Sequence, residues 1–319
     1  MIKKITIVLL LFCTFSSFAQ TNQTNHVIII DKTGSMIGQA GGTDIWLQVK
    51  AAIKSYVNSV EINDKITIYT YAESVSEPKT YTISDESVKK SINLYIDEIK
   101  ANGKNTCTYK ALKKVFEEYN KNQNAYSNLI YLYTDGINNC SGYTMQTVAD
   151  IFKAKRDDYD YLYYITLGTK IPEDVKPVIE ADDHIIPQEV PNPDNKDNIV
   201  PKTIQPAKEI LSFDFSNKEK EIIQTMPFKT NGNIDIKIKL SCEIHGAANQ
   251  NIELLTKSLV LKDNLGEFKI RVKDGIYFKN DIEAEIKLYV LQGNVLLKPD
   301  SFKVKLILPK KGKSTIKFE

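Results

Sequence analysis

Two periodicities of apolar residues divide the chain. Through the first half, strand-like and helix-like runs alternate. Val27-Ile28-Ile29-Ile30 is a run of β-branched residues, the mark of a strand buried on both faces. Ile45, Trp46, Val49, Ile53, Tyr56, Val57 and Val60 then recur at three- and four-residue spacing, which predicts a helix packed on a sheet. Strands follow over 65–72 and 79–84, and a helix over 88–99 with Asp85 as its N-cap. A helix over 109–119, a strand over 128–134, a helix over 145–155 and a strand over 161–167 come next. A short helix after Pro172 and a strand around 184–186 complete the series. This alternation predicts an α/β unit with a doubly wound, mainly parallel sheet over residues 20–188.

Beyond it the pattern changes. Residues 189–207 hold Pro191, Pro193, Pro201 and Pro206 among polar residues and read as a stiff linker. From 208 to 319 apolar and polar residues alternate: Ile234, Ile236, Ile238, Leu240, Cys242 and Ile244 share one face, and 268–272, 282–290 and 302–308 repeat the theme. Half-buried antiparallel strands of this kind predict an all-β sandwich of immunoglobulin-like size.

Composition narrows the function. With 42 Lys and Arg against 40 Asp and Glu, a net charge of +2, the lysines are interleaved with acids, so no concentrated basic face calls for nucleic acid. The run Lys310-Lys311-Gly312-Lys313 reads as a solvated terminus. Residues 1–19 have Lys3 and Lys4, an apolar stretch and Ser17-Phe18-Ala19, the layout of a cleaved secretory signal. Bulky Phe12 before Cys13 disfavours a lipoprotein signal. The mature chain is then expected in the periplasm, secreted or at the cell surface, without a transmembrane segment.

The candidate chemistry lies where strands end. Asp31-Lys32-Thr33-Gly34-Ser35 follows the first strand, so a carboxylate and two hydroxyls arrive at the carboxyl edge of the sheet, with Gly34 read as easing a tight turn. Thr106 precedes Ala111-Leu112 by five residues, and Asp135 closes the strand over 128–134. This ordered set resembles the von Willebrand factor A domain, whose metal-ion-dependent adhesion site is written Asp-x-Ser-x-Ser, then Thr, then Asp. Thr33 replaces the first Ser and keeps its hydroxyl. The resemblance implies that Asp31, Thr33, Ser35, Thr106 and Asp135 hold a hard cation, magnesium or else manganese or calcium. It also implies that an Asp or Glu of a protein partner completes the metal's shell.

A second resemblance runs to P-type ATPases and the haloacid dehalogenase group, with Asp31 as phosphoryl acceptor and Thr134 to Asn139 as magnesium loop, which would make the protein a magnesium-dependent phosphohydrolase. That reading has no use for Thr106, wants a carboxylate where Asn139 stands, and for a pump needs many membrane spans. The histidines, His26, His184 and His245, have no nucleophile signature beside them and read as structural or surface residues, so no enzyme is expected. Three cysteines follow the signal. Cys242 continues an inward face, whereas Cys107 and Cys140 flank two loops that the adhesion-site resemblance brings to one metal. Outside the cell these two are expected to form a disulfide.

Overall fold

In a computed structural model of the chain, the described residues are 23–39, 44–118, 125–136, 138–191, 202–217, 219–231, 238–246, 252–273, 282–292 and 295–308. The residues expected to form a secretory signal, residues 192–201 of the expected linker, the alternating residues 232–237 and the basic run 310–313 lie outside them.

The first unit is built on a six-stranded sheet. Its strands are β1 (Gln23–Asp31), β2 (Lys65–Tyr71), β3 (Lys79–Thr82), β4 (Ala125–Thr134), β5 (Tyr161–Leu167) and β6 (Ile185–Val190), in the order β3-β2-β1-β4-β5-β6. All neighbours pair in parallel except the edge strand β3, which is antiparallel to β2. α1 (Trp46–Ser59) and α2 (Glu86–Glu98) share a core with Ile28, Ile30, Ile66 and Ile68 of the sheet. α3 (Thr108–Glu118), α4 (Met145–Lys155) and α5 (Lys176–Glu180) share the opposite core with Val27, Ile29, Tyr69 and Tyr71. β1 is therefore covered on both faces, which its unbroken β-branched run requires. Asp85 caps α2 by accepting from the backbone N–H groups of Ser87 and Val88. Because the chain winds outward from β1 to β3 and returns on the other side as β4, the strand order reverses between β1 and β4. In open α/β sheets that reversal opens a crevice at the carboxyl edge.

The second unit has two five-stranded sheets. One, in the order β12-β10-β14-β16-β8, contains β8 (Ile210–Asp214), β10 (Lys239–His245), β12 (Ser258–Val260), β14 (Ile282–Gln292) and β16 (Ser301–Ile307). The other, in the order β11-β13-β9-β7-β15, contains β7 (Thr203–Pro206), β9 (Glu221–Asn231), β11 (Ile252–Leu254), β13 (Leu265–Val272) and β15 (Leu296–Leu297). Both contribute to one core that includes Phe213, Met226, Leu240, Phe268, Ile286 and Phe302. Cys242 lies in it as a free thiol, pushed up to about 12 by burial.

Two expectations need adjusting. The strands are not all antiparallel: β16 runs parallel to β8, and β15 to β7. The segment expected to be a linker also contributes β7, whose four residues are all buried against β9. Pro206 is tolerated there because it is the last residue of a short strand, and Pro187 is tolerated in β6 because β6 is an edge.

The two units are joined through a buried polar socket at the end of β1 away from Asp31. Lys229 of β9 donates to the Asp64 carboxylate at 2.8 Å and to the Thr24 hydroxyl at 3.2 Å. The side-chain amide of Gln205 on β7 lies 3.4 Å from the Thr24 hydroxyl and 3.5 Å from that of Ser127. The other oxygen of Asp64 faces Nε2 of His26 at 3.4 Å, and Nδ1 of His26 meets the Tyr56 hydroxyl at 2.6 Å. Burial holds His26 below its ordinary pKa against the opposing pull of Asp64. For Asp64 burial acts upward, but His26 and Lys229 outweigh it and hold the carboxyl below the usual range. His26 is thus structural, as expected. So is His184, whose Nδ1 meets the Asp160 carbonyl at 2.8 Å.

Removing one member of a buried ion pair strands the other's charge, at a cost of about 3–5 kcal/mol. Lys229→Met is expected to lose that much in chemical denaturation. A fragment ending near Val190 escapes this cost because water reaches Asp64 once the second unit is gone. It is expected to melt cooperatively on its own, and calorimetry of the two proteins checks both outcomes.

Candidate metal centre

The reversal between β1 and β4 places their terminal residues side by side. Asp31 is the last residue of β1, and Asp135 directly follows β4. The chain beyond Asp31 bends into a 3-10 turn over Gly34–Met36, which presents the side chains of Thr33 and Ser35. Thr33 Oγ1 lies 2.9 Å from Ser35 Oγ and 3.4 Å from Thr106 Oγ1. Ser35 is also near enough to Asp135 to act on its ionisation. The structure therefore brings all five residues expected at the site into one contiguous network.

Asp31 is fully buried, and both of its oxygens accept hydrogen bonds. Oδ1 takes the backbone N–H of Thr33 at 2.9 Å and the Thr33 hydroxyl at 2.8 Å. Oδ2 takes the hydroxyls of Thr134 at 3.1 Å and Tyr71 at 3.3 Å. These donors fix the carboxylate's orientation without supplying a positive charge. Burial, and after it the charge of Asp135, push the Asp31 carboxyl from its ordinary 3.8 up to about 7. Asp135 is also raised by burial, against the hydrogen bond from Ser35. Two carboxylates that each resist ionisation, with three hydroxyls between them, form an oxygen-only donor set that a hard divalent cation satisfies. Among the described residues, no group of three or more His, Cys, Asp or Glu side chains is placed to hold a metal, which sets this mixed set apart from a zinc-type cluster.

Several supporting residues were not singled out from the sequence. Tyr71 and Thr134 orient Asp31, and Thr108 meets the Tyr71 hydroxyl at 3.2 Å. Each ends a strand buried on both faces, so Tyr71 and Thr134 carry no signal that separates them from ordinary core. Gly103 ties the loop before Thr106 to the first motif: its N–H donates to Lys32 O at 3.0 Å, and its carbonyl accepts from Gly34 N at 2.9 Å. A Cβ on Gly103 would stand 2.2 Å from that of Ala72, so this approach requires glycine. The Asn102-Gly103 pair ahead of Thr106 was a usable cue. Gly34, in contrast, is not held at positive φ; its missing side chain leaves room for Gln39.

The expected disulfide is present. Cys107 and Cys140 are bonded, with Cα atoms 5.0 Å apart across a separation of 33 residues. Asn139 N also donates to Thr106 O at 2.8 Å, so the two site loops are joined by a covalent and a hydrogen bond side by side.

Residues 26–169, from β1 to just past β5, match the family model described as von Willebrand factor type A domain. No curated protein matches the chain. Among solved structures the chain is similar to proximal thread matrix protein 1 from the mussel byssus, at 20% identity over 53% of this chain and 44% of that one, with a TM-score of 0.41. This chain therefore spans less than half of the mussel protein, another structure of which carries a zinc-occupied MIDAS motif. It is also similar to a von Willebrand factor type A protein from Catenulispora acidiphila, at 11% identity over 90% and 67% of the two chains, with a TM-score of 0.44. A conserved hypothetical protein, BatB, from Bacteroides thetaiotaomicron matches at 16% identity over 53% and 91%, with a TM-score of 0.39.

The raised ionisation of Asp31 sets a pH dependence. The folded, metal-free protein holds this proton up to about pH 7, whereas the unfolded chain releases it near 3.8. Its contribution is therefore most favourable below the lower value and is lost as pH rises through the higher, by a few kcal/mol at most. Asp31→Asn cannot ionise and should escape this loss. In chelator, the melting temperature of the variant relative to wild type is expected to be higher at about pH 8 than at about pH 5, and differential scanning calorimetry reads the difference.

Proposed function

We propose that the carboxyl edge of the first unit is a metal-ion-dependent adhesion site that captures an acidic side chain of a partner protein. Asp31, Thr33, Ser35, Thr106 and Asp135 would hold the cation: magnesium, with manganese or calcium as the other candidates. The observation that carries this reading is the meeting of two carboxylates and three hydroxyls at the sheet's reversal point, with Asp31 pushed up to about 7 for want of a compensating positive charge.

The cation, when bound, supplies a Lewis-acidic position for an anionic oxygen. The rest is done by the chain. Tyr71 and Thr134 hold Asp31 in place, and Thr33 bridges it to Ser35. Binding relieves the mutual repulsion of the carboxylates, and a coordination position that this small donor set leaves open on the cation would accept a carboxylate oxygen from outside. The partner is therefore expected to present Asp or Glu.

The phosphohydrolase reading fits the geometry less well. It has no use for Thr106, whose hydroxyl lies 3.4 Å from that of Thr33, and it wants a carboxylate where Asn139 stands. The second unit, a sandwich of immunoglobulin-like size, then serves to project the adhesion site. A periplasmic, secreted or cell-surface setting accords with the disulfide. Among the described residues no helix is long and apolar enough to cross a membrane.

Calorimetric titration tests the reading. Wild type is expected to bind magnesium or manganese and, only with metal present, an acidic peptide. Asp31→Ala is expected to keep its fold and lose metal binding altogether. Unchanged metal affinity in that variant, or magnesium-dependent turnover of an aryl phosphate by wild type, would overturn the assignment.

A further inference from the structure

The bond between Cys107 and Cys140 joins the two loops that carry Thr106 and Asp135. Cys107 directly follows Thr106, and Cys140 lies five residues beyond Asp135. Around the bond, Cys107 N donates to Ala72 O at 3.1 Å, Asn139 N to Thr106 O at 2.8 Å, and the Asn138 amide to Cys140 O at 2.7 Å. Three loops, those following β2 and β4 and the one leading into α3, are therefore tied at one point, and two of them carry proposed ligands. Cys107 is buried, whereas Cys140 is partly accessible.

We propose that Cys107 and Cys140 are positioning residues for the metal centre: their disulfide holds Thr106 and Asp135 in register before metal arrives, and its reduction by a dithiol lowers metal affinity. This rests on the adhesion-site reading. Without the bond, only hydrogen bonds hold the Thr106 loop against a site whose carboxylates repel each other, so the cation must order that loop itself. With the bond, that ordering is already done.

The reduction balances simply. A thiolate of the dithiol attacks Sγ of Cys140, the partly accessible sulfur, and the bond to Cys107 breaks. Cys107 leaves as thiolate and takes a proton from solvent. The dithiol's second thiol then displaces Cys140 from the mixed disulfide. The dithiol ends oxidised, and the protein holds two thiols.

Linkage makes the inference quantitative. If the disulfide raises metal affinity by some factor, bound metal must make the disulfide harder to reduce by the same factor. A bond that only stabilised the fold, without bearing on the site, would leave the redox equilibrium indifferent to metal wherever the reduced protein stays folded.

The test uses the full chain with magnesium and manganese as probes. Dissociation constants are measured by calorimetry for oxidised wild type, for wild type reduced with dithiothreitol, and for the Cys107→Ser/Cys140→Ser double variant, with circular dichroism confirming the fold. The equilibrium of the disulfide with dithiothreitol is then measured with and without saturating metal. The expected result is affinity weakened tenfold or more on reduction, and a redox equilibrium displaced toward the disulfide by the same factor when metal is added. If the double variant does not fold, the redox equilibrium of wild type decides alone, measured with enough trimethylamine N-oxide that circular dichroism shows the reduced protein folded. Equal affinity in the oxidised and reduced proteins, with an equilibrium indifferent to metal, overturns the inference and leaves the adhesion site standing. Absence of metal binding by the oxidised protein overturns both.

Discussion

The burial of the Asp31 carboxylate at the end of a strand covered on both faces is the constraint around which the rest of the first unit is arranged. A charge in that position is costly, and the surrounding chain answers with neutral donors, four hydrogen bonds drawn from the first motif, β2 and β4. Neutral donors orient a carboxylate and soften its desolvation, but a second carboxylate next to it works the other way. The site is thus built to a geometry whose electrostatics are completed only by something positive. A core residue would have been selected for the reverse.

The opposite end of β1 treats the same problem differently. There the buried carboxylate of Asp64 has its cation within the chain, Lys229, and the pair is enclosed by Thr24, His26 and Gln205. One buried acid is thus satisfied internally and fixes two units together. The other, at the carboxyl edge, has only neutral donors and no cation within the chain, and this contrast supports reading the first as architecture and the second as a binding site.

Much of the fold was legible because its signals are local. α4 spans Met145–Lys155 and β5 spans Tyr161–Leu167, the ranges that periodicity marks out, and Asp85 caps α2 as its place before an amphipathic run implies. The five residues expected at the site could be singled out because their order resembles the von Willebrand factor A motif, and Thr33, Ser35 and Thr106 do lie together beside Asp31. The socket could not be. Lys229 and Asp64 stand 165 residues apart, and Lys229 occupies an unremarkable place in an alternating strand. Neither periodicity nor spacing records such a pairing. The same reason hid Tyr71 and Thr134, which differ from core residues only in what their hydroxyls meet, and the parallel pairings of β8 with β16 and β7 with β15, which depend on how distant strands are laid beside each other.

β1 joins these two ends, with Asp31 at one and the Thr24 contact with Lys229 at the other. Were the carboxyl edge to hold a partner while the second unit is anchored elsewhere, any tension between them would run along this strand. β1 is hydrogen-bonded in parallel to both β2 and β4 over nearly its whole length. Drawn lengthwise, those bonds are loaded together in shear instead of peeled one after another from an end. The socket and the carboxyl edge then become the two grips of a tether, and a central strand is the part of a sheet best suited to bear the pull between them.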